Sequence, residues 1–344
     1  MVTRTTRSGP LSLDIIIPAY NEGEMLARLF DRLDFVFSES TLRDHGIRSV
    51  TYIFVDDGSR DSTSDIIARR IAEGLSAKLV MLSRNFGHQA AITAGMEQSQ
   101  ADLLAVMDAD LQDPPETILD MFQKWREGYD VVYGIRKKRK ENPFVVAGYW
   151  LFYRLVRLMS EVSFPADAGD FCLMDKKVVD AIRSLPERLR FHRGMRAWVG
   201  FRQTGVEYDR PPRIAGKSKY SLHKLYSLAT DGIAWLSLRP LKITQFLSFV
   251  LFVVTLTCST TIAIGHLTTR RDDELALWLS LLFVFISLGF SVISFCLYVL
   301  SAYVGRSYLE AKARPTYIIQ ELICGKSVRS EQASGSGPAV PREE

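Results

Sequence analysis

Two long stretches near the C-terminal end lack formal charge, and they constrain this chain more than any other feature. No Lys, Arg, Asp or Glu lies between Lys242 and Arg270, where FLSFVLFVVTLTCSTTIAIG runs. The same holds between Glu274 and Arg306, where LALWLSLLFVFISLGFSVISFCLYVLSAYVG runs. A helix needs about 20 apolar residues to cross the hydrocarbon core of a bilayer. Both stretches reach that length, and the second leaves room for tilt. Helices of a soluble core rarely stay uncharged so long, so two transmembrane helices are predicted within residues 243–305. Lys224, Arg239 and Lys242 precede the first, and Arg306, Lys312 and Arg314 follow the second. By the positive-inside rule both flanks are cytoplasmic and the short loop 266–274, HLTTRRDDE, is outside; its two arginines weaken the asymmetry without reversing it. A multi-pass protein of the plasma membrane with its large polar part in the cytoplasm is expected.

The remaining composition excludes several classes. A net charge of +4 gives no footprint for nucleic-acid binding. Cys172, Cys258, Cys296 and Cys324 lie far apart with no CxxC pair, so neither a zinc site nor a disulfide framework is indicated. Residues 1–11 have arginines but no apolar core of a signal peptide and read as a disordered lead-in. Residues 306–344 read as a cytoplasmic tail ending in the low-complexity SEQASGSGPAVPREE.

Upstream of the apolar runs the pattern changes. LDIIIPAY, SVTYIFVDDGS, AKLVMLSRN, ADLLAVMDAD and YDVVYGIR each read as a strand entering a polar turn. Helical segments separate them: Glu24 to Ser38, Ser62 to Ala72, Gln89 to Ser99 and Glu116 to Glu127. Such alternation implies βαβ units and a mainly parallel α/β sheet, whose ligands bind beyond the carboxyl ends of the strands. Polar residues cluster at those ends: Asn21-Glu22, Asp56-Asp57, Arg84-Asn85 and Asp108-Ala109-Asp110. Crowded carboxylates repel unless a cation lies between them, and a divalent ion bridging to a diphosphate answers that need. Extended geometry through Ala109 would put Asp108 and Asp110 on one side, with Gln112 adding a neutral oxygen. Asp113 is expected to cap the helix that Pro114-Pro115 opens.

IIIPAYNE (15–22), VDDGS (55–59), SRNFGHQAAI (83–92) and DADLQDPPE (108–116) resemble family 2 glycosyltransferases of the GT-A, Rossmann-like fold. AGDFCLMD, FHRGMRAWVGFRQ and RIAGKSKYSLHKL narrow the resemblance to membrane-bound polyprenyl-phosphate glycosyltransferases, such as bactoprenol glucosyltransferases and dolichol-phosphate mannose synthases. The resemblance covers residues 12–320 and implies a cytoplasmic GT-A domain over 12–225, a juxtamembrane helix over 226–242 and then the two spans. It implies that Pro18, Ala19, Tyr20, Asn21 and Glu22 hold the uridine part of a nucleotide sugar, with Asp56 reading the uracil, Asp57 supporting the nucleoside, and Asp108 and Ala109 against the donor. Asp108, Asp110 and Gln112 are implied as ligands of Mg²⁺ or Mn²⁺. Asp170 matches the carboxylate assigned as catalytic base, Arg136 an arginine for the acceptor's phosphate, and Arg213, Lys217, Ser218 and Lys219 a loop closing over the diphosphate. Because a phosphate monoester has a second pKa of about 6, the acceptor oxygen is largely ionised at neutral pH, and Asp170 is read as a positioning group.

An acceptor lipid requires the ligand edge to sit near headgroups. IRKKRKEN supplies a run of cations from Arg136 to Lys140, which suits anionic lipid and equally suits a solvated loop. Residues 143–162 read as a helix in the interface plane, with burial in the domain as the rival. His88 and His192 lack partners at ligand spacing and are discounted as metal or catalytic groups. The expected reaction is inverting transfer of a hexose, glucose from UDP-glucose, to undecaprenyl or decaprenyl phosphate. Mannose from GDP-mannose, or a GlcNAc, galactose or aminoarabinose derivative, is the rival donor. A processive synthase is disfavoured because RAW at 196–198 lacks a QxxRW arrangement, and a lipid-binding scaffold or flippase is the non-enzyme alternative. A homotetramer is implied by resemblance.

Overall fold

The computed structural model describes residues 11–136, 168–188, 190–209, 239–268 and 274–325. The chain forms two compact units, the first taking in the described residues up to Asp209 and those from Pro315 on, the second those from Arg239 to Arg314.

The first unit is built on an eight-stranded sheet. Its parallel centre consists of β1 (Leu11–Ala19), β2 (Ile47–Asp56), β3 (Ala77–Leu82) and β4 (Leu103–Val106). On one side β6 (Ala168–Asp175) lies antiparallel between β4 and β5 (Val131–Arg136), and β7 (Gln203–Tyr208) runs parallel to β5. On the other side β8 (Ile319–Cys324) runs antiparallel along β3. The order is therefore β7-β5-β6-β4-β1-β2-β3-β8. The carboxyl ends of β1 to β5 and β7 share one edge with the amino ends of β6 and β8. The strand order reverses between β4 and β1, which opens a ligand crevice at that edge.

The central strands are apolar runs because both faces are covered. On one face Ile15 and Ile17 of β1 share a core with Leu26, Leu29, Phe30 and Leu33 of α1 (Gly23–Val36) and with Ile118, Met121 and Phe122 of α5 (Glu116–Arg126). Between these helices in the chain come α2 (Glu39–His45), α3 (Thr63–Ala72) and α4 (His88–Gln98). The opposite face takes α4, whose alanines and Gly95 allow close approach. A Cβ on Gly95 would lie 2.6 Å from Ile16 Cγ2 and 3.1 Å from Val55 Cγ2. After β6 come α6 (Lys176–Arg183) and α7 (His192–Trp198).

The second unit contains α8 (Arg239–Thr268) and α9 (Glu274–Ala311). Cys296 Sγ lies 3.5 Å from Ser248 Oγ and 3.8 Å from the Thr244 carbonyl oxygen, which sets the start of α8 against the later half of α9. Phe246, Phe249, Phe252, Phe283 and Phe290 are exposed. Among the described residues one stretch, Leu281–Ala311, is long and apolar enough to cross a membrane by length and composition, and Thr244–Val254 is a shorter apolar helical segment.

The predicted tail, 306–344, needs correction: it begins inside α9 and supplies β8. The strand pairs Val80 with Leu322, and Gly325 donates to the Ala77 carbonyl at 3.0 Å. The lead-in before Leu11, the basic residues 137–140, the predicted interfacial helix 143–162 and the juxtamembrane segment up to residue 238 lie outside the described residues.

Candidate active site

Three turns at the ligand edge are laced together. In the β1–α1 turn Asn21 adopts φ 54°, a left-handed conformation Asn tolerates better than most residues. Its amide N–H donates to Ser59 Oγ at 2.9 Å, and its side-chain oxygen accepts from the Arg60 amide at 2.8 Å. Glu22 donates its backbone N–H to Thr63 Oγ1 at 3.0 Å. Pro18 and Ala19 end β1, and Tyr20 is exposed beside them. Asp56 is buried at the end of β2 and accepts from the Ser59 amide at 2.9 Å. Asp57 turns away from this group. Its carboxylate accepts from the Phe86 and Gly87 amides at 2.7 and 2.9 Å, and its own N–H bonds to the Ala19 carbonyl at 2.9 Å. Burial raises its pKa, the two N–H bonds pull it back, and the Asp56 charge adds to a net rise. Asp57 thus fastens the β3–α4 loop to the end of β1. Gly58, at φ 71°, lets that loop approach, since a Cβ there would fall 2.5 Å from the Arg84 carbonyl carbon.

The acidic turn follows β4. The strand ends at Val106, and the Met107 amide makes a last ladder-like bond to the Ile16 carbonyl at 3.0 Å. Ala109 and Asp110 already lie in a turn, and Leu111 has φ 57°. Extended geometry therefore does not continue through Ala109, and strand alternation does not set the relation of Asp108 to Asp110. Asp110 Oδ1 accepts from the Gln112 amide at 3.1 Å, and Gln112 is buried. Asp113 does not cap α5. Pro115 occupies the cap position without a side-chain bond, and buried Asp113 accepts from the Tyr208 hydroxyl at 2.6 Å.

Register brings Asp170 here. Val106 pairs with Cys172 across β4 and β6, so Asp170 lies on β6 just beyond the last pair, at the edge where the chain leaves β4 toward Asp108. Asp170 accepts from Arg193 Nε and Nη2 of α7, both at 3.0 Å, and from Gln89 Nε2 of α4 at 3.2 Å. Its side chain is 8% exposed. Burial alone would raise its pKa, but the charge and two hydrogen bonds of Arg193 outweigh it and hold the carboxyl well below the usual carboxylate range. His88 Nε2 lies 3.6 Å from Asp108 Oδ1 and 3.7 Å from Asp170 Oδ2, between the two carboxylates. His192 sits behind. Thr93 spends its one hydroxyl hydrogen on the Gln89 carbonyl at 2.8 Å, so His192 Nε2 at 2.9 Å is the donor to Thr93. That leaves Nδ1 bare, and it is buried with no hydrogen-bond partner. Burial pushes the His192 pKa down to about 4, against the pull of Asp170.

Arg136 ends β5 in register with Tyr208 at the end of β7. Its Nε donates to the Tyr208 hydroxyl at 3.2 Å. Burial opposes its charge, but the Tyr208 hydrogen bond and the nearby Asp113 outweigh burial and raise its pKa.

The description glycosyl transferase family 2 matches residues 14–183, which span the sheet from β1 to α6 and include both carboxylate clusters. The uncharacterized glycosyltransferase YkcC of Bacillus subtilis (strain 168) is 41% identical over 321 residues, 90% of this chain and 94% of the relative. The chain belongs to glycosyl transferase family 2. This family 2 transferase is also 33% identical over 322 residues to a prophage bactoprenol glucosyl transferase homolog of Escherichia coli (strain K12), covering 91% of this chain and 99% of the relative. The bactoprenol glucosyl transferase of Shigella phage SfX is 33% identical over 324 residues, 90% of this chain and 99% of the relative. Among solved structures, a mannosyltransferase from Pyrobaculum calidifontis in complex with GDP-Man and Mn²⁺ aligns at 14% identity and a TM-score of 0.47, covering 88% of each chain.

Among the described residues of this family 2 transferase, no group of three or more His, Cys, Asp or Glu side chains is arranged to hold a metal ion. Asp108, Asp110 and Gln112 place two carboxylates and an amide within five residues of the turn after β4, with the Gln112 backbone N–H bonded to Asp110 Oδ1. Mg²⁺ is usually held by one or two carboxylates completed by substrate phosphates and water, without a cage of protein ligands. The donor set fits that mode. Arg213, Lys217, Ser218 and Lys219 lie outside the described residues. Sequence reasoning passed over Arg193, Gln89, Tyr208 and the partnership of Asp113, and it discounted His88, which the fold sets between Asp108 and Asp170. HRG marked Arg193 within a motif, but no local spacing ties it to a carboxylate 23 residues earlier.

Proposed function

We propose that this transferase moves glucose from UDP-glucose to a polyprenyl phosphate at the cytoplasmic face of the plasma membrane, with inversion at the anomeric carbon. The observation that carries the reading is the position of His88, whose Nε2 lies 3.6 Å from Asp108 Oδ1 and 3.7 Å from Asp170 Oδ2, so that the turn after β4 and the carboxylate of β6 meet at one imidazole. It puts an acidic turn suited to a diphosphate beside a buried carboxylate whose pKa Arg193 holds well below the usual range. The relatives named bactoprenol glucosyl transferases support the lipid acceptor and the sugar.

In this reading Pro18, Ala19, Tyr20, Asn21, Glu22 and Asp56 hold the nucleoside, Ala109 lies against the donor, and Asp57 acts through the loop it fastens. Asp108, Asp110 and Gln112 would hold Mg²⁺ or Mn²⁺, which when bound would supply positive charge at the donor diphosphate. Arg213, Lys217, Ser218 and Lys219 close over that diphosphate. Arg136 holds the acceptor phosphate, whose oxygen is already ionised because its second pKa is about 6. Asp170, clasped by Arg193, is a weak base and instead orients the acceptor and stabilises charge at the anomeric carbon. A single displacement converts the α-linked donor to a β-linked product. Both long helices span the bilayer in this reading: α8, at 30 residues, is about 45 Å long, more than the roughly 30 Å hydrocarbon core requires. The chain returns to the sheet unit after α9, so an even number of crossings keeps both flanks in the cytoplasm. The transferase forms a homotetramer, which native mass spectrometry of the detergent-solubilised protein tests.

The test of function incubates purified protein with Mg²⁺, undecaprenyl phosphate and, separately, UDP-glucose, UDP-galactose, UDP-N-acetylglucosamine and GDP-mannose. A β-linked glucosyl lipid and UDP, from UDP-glucose alone, are expected, with product lost on chelation and in the Asp108→Ala, Asp110→Ala double variant. Product from GDP-mannose would replace the donor assignment, and no glycolipid from any donor would overturn the reading.

A further inference from the structure

We infer that Tyr208 is the positioning residue that aims Arg136 at a phosphate monoester, and that Asp113 fixes Tyr208 for that task. The inference rests on the proposed role of Arg136 and names residues that the reading above does not use.

Parallel pairing of β5 and β7 brings Arg136 and Tyr208 side by side at the ligand edge. Tyr208 is buried, with its ring edge-on to Phe171 at a centroid distance of 5.3 Å and close over Gly134, where a Cβ would lie 2.7 Å from Tyr208 Cε1. Phe171 and the backbone of Gly134 thus flank the ring. Its hydroxyl donates to Asp113 Oδ1 at 2.6 Å and accepts from Arg136 Nε at 3.2 Å. A hydroxyl has one hydrogen. With that hydrogen committed to Asp113, the lone pairs face the guanidinium, so the carboxylate sets the polarity of the whole chain. Burial and the adjacent Asp113 charge raise the Tyr208 pKa, which keeps the hydrogen in place.

The consequence falls on the guanidinium fork. Binding through Nε fixes the plane and leaves the terminal nitrogens, which match phosphate oxygens in pairs, at the other end. Nη2 sits over Gly169, 3.5 Å from the position a Cβ would take there, one residue from Asp170. The line Asp113–Tyr208–Arg136 thus joins the acidic turn after β4 to the neighbourhood of Asp170. An arginine without this support would sample many rotamers, and ordering it on binding costs affinity.

The experiment measures equilibrium binding of farnesyl phosphate by isothermal titration calorimetry in detergent, with farnesol as the control for the chain, beside turnover with undecaprenyl phosphate. Tyr208→Phe keeps the ring and removes both hydrogen bonds. Its Kd for farnesyl phosphate is expected to rise about tenfold, the scale of one charge-assisted hydrogen bond, with UDP-glucose KM unchanged within about twofold. Arg136→Ala alone and combined with Tyr208→Phe should bind equally weakly, because Tyr208 acts through Arg136. An unchanged Kd in Tyr208→Phe, or losses that multiply in the double variant, would overturn the inference. If Tyr208→Phe fails to fold, Asp113→Leu decides. It removes the acceptor of the hydroxyl hydrogen while keeping the same branched side-chain shape, and a Kd raised about threefold supports the inference while an unchanged one refutes it. Absence of glycolipid with wild-type protein would overturn the proposed function, and the farnesyl phosphate series would still decide the role of Tyr208.

Discussion

Asp170 is held from three directions, by Arg193, Gln89 and His88. A carboxylate kept ionised in this way has little tendency to take a proton in the physiological range. Asp170→Asn keeps the shape and removes the charge, and kcat is expected to fall by about 10²–10³-fold, the range for losing a preorganised electrostatic contact. The rise of rate with pH should keep its midpoint near the acceptor's second pKa of about 6. Rate profiles between about pH 5 and 9 check this, and loss of the rising limb in the variant would identify Asp170 as a base. His192, behind it, makes a second prediction. The folded protein holds its pKa at about 4 against an ordinary 6.5, so on acidification the unfolded chain takes up the proton first. The stability due to the neutral ring is complete above pH 6.5 and is lost as pH falls toward 4, by up to roughly 3 kcal/mol. Thermal midpoints across that window should decline more steeply for wild type than for His192→Gln.

Helix α4 lies flat on the sheet because residue 95 has no side chain, and its first residue is His88. Gly95→Ala drives a methyl group into Ile16 and Val55 and is expected to destabilise the fold by about 1–3 kcal/mol, as overpacking of a filled core does. Chemical denaturation in detergent measures this, and an unchanged midpoint would show that the helix can lift without loss. The reach of sequence reasoning is clearest at this scale. β1 to β5 and the helices α1, α3, α4 and α5 were legible because apolar runs bounded by polar turns report burial directly. β6 was not assigned, although AGDFCLMD stood out as a motif, since an antiparallel insertion leaves no different periodicity from a parallel one. β8 carries β-branched residues at Ile319 and Ile323, but the apolar runs before it drew the domain boundary too early. In the site, the residue types were legible and their partners were not. Asp113 reads as a cap from its neighbours Pro114 and Pro115, while its actual partner, Tyr208, is 95 residues away. The turn at Ala109 likewise overrode the alternation of the preceding strand.

For the molecule as a whole, the chain leaves the sheet unit, forms α8 and α9, and comes back to it at Pro315. β8 then covers the edge of β3, pairing Lys78 through Leu82. A variant ending at Arg314 loses that cover and presents an open row of backbone donors and acceptors along an apolar strand, a ready template for pairing between molecules. Size-exclusion chromatography in detergent should show large aggregates for it, while a variant ending at Gly325 should elute as wild type. Equal behaviour of the two would mean that β3 needs no partner on that side.

Order of synthesis gives β8 a further meaning. The ribosome releases the sheet's last strand only after it has made both long apolar helices, so the sheet unit cannot finish folding until α8 and α9 have been synthesised. Until then the nascent chain carries an incomplete sheet, with the outer edge of β3 open for as long as the two apolar helices are being made.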